Sequence, residues 1–151
     1  MIKIEMAQME DVEVITEIKE RAYNDETRRF GPGRDGGPEG YDSVESTRWL
    51  MNKFSYYKIM IGREVIGGFW LEGLSDRQLQ LEDFCIHPQH HNKGYGTMAI
   101  KLMEEMFPNI KKWTLTTPHY SFRNQHLYEK MGYVKIGESE DKFLFLYEKE
   151  K

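Results

Sequence analysis

The sequence predicts an α/β fold of the α+β kind: a single domain over residues 1–151, with a mixed, mostly antiparallel central sheet flanked by helices. Three observations predict it. Short alternating apolar runs recur along the chain, stretches with helical periodicity stand between them, and a tight turn around Gly62 joins two of the runs directly. The predicted order is strand, helix, helix, three strands, helix, strand, helix and two closing strands. A chain of 151 residues suits one domain with its own core.

Residues 2–6 alternate as a short strand. In VEVITEIKERA, Val12, Ile15, Ile18 and Ala22 recur at helical spacing while Glu13, Glu17 and Glu20 populate the other side. Residues 23–43 concentrate glycine, proline and charge in RFGPGRDGGPEGYD and read as a loop, whose length and aromatics point to function. A short helix is expected over 44–52, then strands over 56–61 and 65–71 around the turn at Gly62, and a strand over 79–86 ended by His87 and Pro88. In GYGTMAIKLMEEMF, Met98, Leu102 and Met106 stand four apart beside Ala99 and Met103, an apolar helix face suited to packing on a sheet. A strand over 113–117, a helix over 121–131 stopped by Gly132, and strands over 133–136 and 143–147 complete the chain.

Composition excludes several classes. Cys85 is the only cysteine, so no intrachain disulfide forms, and a reducing compartment, the cytoplasm, is expected. The first residues lack the basic start and continuous apolar run of a signal peptide, and no later stretch has the apolar length of a membrane span. A net charge of -4 without a local basic patch argues against nucleic-acid and anionic-membrane partners.

The segment FCIHPQHHNKGYGT turns a strand through a loop containing lysine and glycine into a helix start. That arrangement suits anions, because the first helical turn has unpaired N–H groups and the positive dipole end, and glycine lets a phosphate approach. A P-loop is set aside, since no Lys-Ser/Thr pair follows the second glycine. GYGTMA matches the dinucleotide fingerprint G-x-G-x-x-A, but the next strand, WTLTT, carries no acid for a ribose.

PQHHNKGYGTMAIKLM resembles motif A of the GNAT superfamily of N-acetyltransferases, Q/R-x-x-G-x-G/A. Gly94 and Gly96 fill the glycine positions, His91 stands where Gln or Arg is usual, and Asn92 where glycine is common. NQHLYEKMGYVKIGE resembles the carboxy-terminal pattern of the same family, in the same order and spacing. The resemblance implies a GNAT-like fold and an acetyl-coenzyme A-dependent N-acetyltransferase acting on a primary amine of a small molecule or peptide. The alternative is a noncatalytic acyl-coenzyme A-binding or regulatory domain of the same fold. It also implies that His91, Asn92, Lys93, Gly94, Tyr95, Gly96 and Thr97 hold the coenzyme pyrophosphate, that backbone groups of Phe84, Cys85 and Ile86 meet the pantetheine and acetyl carbonyl, and that Asn124 bonds the pantetheine arm. The family tyrosine that protonates the leaving thiolate falls on Tyr128, whose phenol, with a pKa of about 10, suits a thiol of about 8.5. A homodimer is common in such families.

A protonated amine must lose a proton before it attacks. Strand alternation places Gln80, Glu82, Phe84 and Ile86 on one face and Leu81, Asp83, Cys85 and His87 on the other, making Glu82 the candidate base. The same alternation turns Cys85 away from Glu82, so an acetyl-cysteine route is not expected. His87, His90 and His91 lack the spacing of a metal site, and no metal is expected. The acceptor is expected to meet residues 23–41, with Trp70 and His119. Acids there (Asp25, Glu26, Asp35, Glu39) and arginines (Arg28, Arg29, Arg34) leave its charge open.

Overall fold

The computed structural model describes all 151 residues. Its elements are β1 (Ile2–Met6), α1 (Val12–Arg29), α2 (Val44–Lys53), β2 (Ser55–Ile61), β3 (Glu64–Ser75), β4 (Gln78–Ile86), α3 (Tyr95–Met106), β5 (Lys112–Pro118), α4 (Phe122–Lys130), β6 (Val134–Glu138) and β7 (Leu144–Glu150), the order expected from the sequence. The seven strands form one sheet in the order β1-β2-β3-β4-β5-β7-β6. Every neighbouring pair is antiparallel except β4 and β5. These two run parallel because α3 carries the chain across between them.

The apolar periodicities become the two faces of the sheet. Ala99, Ile100 and Met103 of α3 and Tyr128 of α4 pack with Phe69, Leu71, Leu81, Phe84, Trp113, Leu115 and Tyr147 into the main core. Ile100 and Met103 have no exposed surface, so truncating either to alanine costs about 2–5 kcal/mol. The opposite face holds a smaller cluster in which Ile15 of α1 meets Tyr56 and Trp70, with Leu50 and Met51 of α2 alongside. Ser43 caps α2 by accepting from the Ser46 N–H at 3.2 Å.

Two expectations are corrected. α1 does not end near Ala22 but continues to Arg29. Residues 23–29 contain no helix breaker, Asp25 and Arg29 pair across one turn at 2.8 Å, and two arginines complement the carboxyl end of the dipole; the breakers begin at Gly31.

The second correction concerns β4. Trp70 pairs with Glu82 and Gly68 with Cys85, so Phe69 alone stands opposite both Asp83 and Phe84. This is a β-bulge, with Asp83 at φ 50, and it shifts the alternation by one residue. Phe84 and Ile86 therefore join Leu81 in the main core. Glu82 shares its side of the sheet with Cys85 rather than with Phe84, contrary to simple alternation.

Candidate active site

β4 and β5 pair from Gln78 with Lys112 as far as Leu81 with Leu115, and then part. The gap leads into a cleft of about 250 Å³. Ala22, Tyr23 and Glu26 of α1 form one wall, Phe84, Cys85 and Ile86 the end of β4, and Arg123, Asn124, His126, Leu127 and Lys130 of α4 the opposite side. The loop and first turn of α3 close it with His90, His91, Asn92, Gly94, Tyr95, Gly96 and Thr97.

The loop geometry follows from its residues. Asn92 and Gly94 both have positive φ, 62° and 80°, which asparagine and glycine tolerate better than other residues. Gly94 is the residue preceding α3, and no side chain caps the helix there. The first backbone bond of α3 runs from the Met98 N–H to the Gly94 carbonyl, leaving the N–H groups of Tyr95, Gly96 and Thr97 without helical partners. A Cβ on Gly96 would stand 3.1 Å from Leu127, so glycine lets α4 approach the first turn of α3. Unpaired N–H groups and the positive dipole end suit this end of the cleft to an anion, and Arg123, paired with Asp25 at 3.5 Å, and Lys130 line the same cleft.

His91 lines the cleft, with its Nε2–H 2.7 Å from the Ile86 carbonyl, to which it donates. Burial lowers its pKa, which keeps the ring neutral. The other two histidines go separate ways: His87 accepts from the Gln89 N–H, and His90 approaches Glu64 at 3.3 Å. No three His, Cys, Asp or Glu side chains converge in a metal-binding arrangement.

Tyr128 does not itself line the cleft: it is 4 % exposed, in the main core, and its ring meets Phe84 of the lining edge-on at 6.5 Å. Its hydroxyl has no hydrogen-bond partner in the chain, yet it is not among the sealed, unpaired polar atoms. Burial, then the charges of Glu26, Cys85 and Glu82, push its pKa well above the usual phenol value, so it stays protonated. Glu82 is the first β4 residue beyond the last β5 pairing, outside the cleft lining, and accepts from Gln80 Nε2 at 2.9 Å. Gln80 in turn accepts from the Thr114 hydroxyl at 3.0 Å. Burial raises the Glu82 pKa. Lys93 is exposed and does not line the cleft.

Burial also pushes the Cys85 thiol up to about 12, so it is no thiolate near neutral pH although it shares a side with Glu82.

Arg123, His126 and Lys130 line the cleft without being anticipated by the sequence, and Glu26, expected among the charges of an acceptor-binding loop, belongs to its helical wall. Glu26 is 9 % exposed, accepts from the Ser121 hydroxyl at 2.7 Å and from Asn124 Nδ2 at 3.3 Å, and burial raises its pKa. A helix extended through residue 26 would have revealed it, because Ala22, Tyr23 and Glu26 then share a face.

Residues 19–133 match the sequence profile of the Acetyltransferase (GNAT) family. The chain belongs to that family. This GNAT-family chain is 26 % identical over 105 residues to the uncharacterized protein YrkN of Bacillus subtilis (strain 168), a match that takes in 69 % of this chain and 57 % of YrkN. Among solved structures, it shares its fold with the PaiA N-acetyltransferase of Thermoplasma acidophilum, solved in complex with coenzyme A. The TM-score is 0.84 at 17 % identity, covering 100 % of this chain and 99 % of the other. It also shares the fold of AAC(6')-Ib, solved with ribostamycin and coenzyme A, with a TM-score of 0.76 at 16 % identity, covering 99 % and 93 % of the two chains. No helix is long and apolar enough to cross a membrane.

Proposed function

We propose that this GNAT-family chain acts as one catalytic domain over residues 1–151, an acetyl-coenzyme A-dependent N-acetyltransferase that acetylates a primary amine of a small molecule or peptide in the cytoplasm. The observation that carries the reading is the cleft itself: an uncapped helix start at one end and the backbone run Phe84, Cys85 and Ile86 past the last β4–β5 pair, with the buried, protonated Tyr128 packed against Phe84. Family membership and the fold shared with two coenzyme A complexes support acetyl-coenzyme A as the cosubstrate, which supplies a thioester carbonyl for attack and a thiolate leaving group.

The N–H groups of Tyr95, Gly96 and Thr97 take the pyrophosphate, and Arg123 and Lys130 add charge. Glu82, raised by burial, takes a proton from the bound ammonium directly or through a water, and freed amine nitrogen attacks the carbonyl. Backbone N–H groups of Phe84 and Ile86 stabilise the resulting oxyanion. Tyr128 then donates its proton to the departing thiolate; the desolvation that raises the phenol also raises the thiol. With Cys85 held as a thiol, transfer is direct from thioester to amine.

Thermal melting with acetyl-coenzyme A, coenzyme A, NAD and ATP in parallel tests this, since a ligand at 100 times its Kd stabilises the native state by about 2.7 kcal/mol. A shift with the coenzyme A ligands alone is expected; no such shift, or one with NAD, overturns the reading. Thiol release with a panel of amines then separates an enzyme from a domain that binds without turnover.

A further inference from the structure

The bulge in β4 is held by a clamp of side chains from two other elements. Asp83, in the left-handed region at φ 50, receives the Tyr23 hydroxyl of α1 at 2.6 Å and the Trp70 Nε1–H of β3 at 3.0 Å. Lys19 Nζ of α1 lies 3.9 Å from its second oxygen, and this lysine is 1 % exposed. Each arm is fixed by packing: Trp70 stacks on Phe54 at 4.2 Å between ring centres, and Tyr23 meets Tyr41 edge-on at 5.8 Å. An aspartate at positive φ is uncommon and persists only where its surroundings over-determine it.

The clamp matters because of what the bulge does to the phase of the strand. The His87 N–H bonds the Ile66 carbonyl of β3 at 2.7 Å. Successive strand residues turn their backbone groups to opposite edges, so Ile86 presents its N–H and carbonyl to the edge where β5 has parted. Its carbonyl there is taken by His91, and by the same alternation its N–H turns to that edge, at a residue that lines the cleft. One residue fewer between Glu82 and Ile86 would reverse this, directing the Ile86 N–H back to β3 and its side chain out of the core.

We infer that Asp83, clamped by Tyr23, Trp70 and Lys19, is a positioning residue that fixes the phase of β4 and thereby aims the Ile86 N–H at the acyl carbonyl. The inference rests on the acetyltransferase reading, but its test needs no acceptor. Calorimetry gives the coenzyme A Kd, and the infrared stretch of the thioester carbonyl in acetyl-coenzyme A labelled with carbon-13 reports the hydrogen bond to that carbonyl. Binding to the native protein lowers the stretch frequency. Asp83→Ala loses most of that shift while the coenzyme A Kd stays within about threefold, because the phosphate contacts lie at α3. Asp83→Asn keeps an acceptor and tolerates positive φ, and retains most of the shift. Tyr23→Phe removes one arm without touching the backbone and gives an intermediate loss, which carries the test together with Asp83→Asn if Asp83→Ala does not fold.

A full shift in Asp83→Ala or Tyr23→Phe, a loss in Asp83→Asn, or no shift in native protein that binds coenzyme A overturns the inference. Native protein that binds no coenzyme A defeats the acetyltransferase reading instead.

Discussion

Asn124 of α4 donates to Glu26 of α1 across the cleft, Nδ2 to Oε2 at 3.3 Å, so the side chain expected to bond a pantetheine arm is already engaged by a buried carboxylate. The Ser121 hydroxyl holds the other oxygen at 2.7 Å. This small network ties the two walls of the cleft together, and the carboxylate is its one titratable group.

Burial raises the Glu26 pKa in the folded state, so between its ordinary value and the raised one the folded chain holds a proton that the unfolded chain has lost. Stability from this group therefore falls as pH rises through that window. Glu26→Gln is expected to melt higher than the native chain at pH 7 and to converge with it below a pH of about 4. A lower melting temperature for the variant at pH 7 would show that the charge stabilises the network.

The Tyr128 hydroxyl has no partner in the chain, so Tyr128→Phe removes no internal bond and the melting temperature should barely change. Turnover, measured as thiol release, should fall roughly 10²-fold with coenzyme affinity nearly unchanged. Equal turnover in the variant removes Tyr128 from the mechanism.

A Cβ at Gly94 meets nothing within 4 Å, so substitution there acts through backbone and charge rather than collision. Gly94→Ala should cost about 1 kcal/mol from its φ of 80° and still bind coenzyme A. Gly94→Glu should abolish that binding by placing a carboxylate where the phosphates go. Tight binding by the glutamate variant refutes the anion site.

With its thiol pushed up to about 12, Cys85 should resist iodoacetamide at pH 7 in the native protein and react once the chain is unfolded in urea. Rapid native labelling would mean that the strand opens or that the thiol is activated, and would revive a covalent route.

The order of elements and the glycine turn into α3 are legible because each rests on local signals: apolar spacing in α3, glycines at 94 and 96, a turn at Gly62. What was not legible depended on partners distant in sequence. The phase of β4 follows from Asp83 meeting Tyr23, 60 residues away, and no alternation rule anticipates a bulge stabilised from another element. Glu26 falls in an expected loop rather than a helix because the breakers that begin at Gly31 dominate the composition of a segment that is helical to Arg29. Its partners Ser121 and Asn124 lie 95 and 98 residues further on.

The start of α3 differs from that of α2 in one respect. Ser43 completes α2 from within the chain, whereas α3 begins at a glycine and leaves its first amides to whatever occupies the cleft. Under the proposed function the cosubstrate is thus also the missing terminus of a helix. Loading with coenzyme A should slow amide hydrogen exchange along the first turns of α3, and protein kept free of it should be cut sooner by proteases at the Asn92–Gly94 loop. For this chain, resistance to degradation and readiness for chemistry would rise and fall together with the supply of one metabolite.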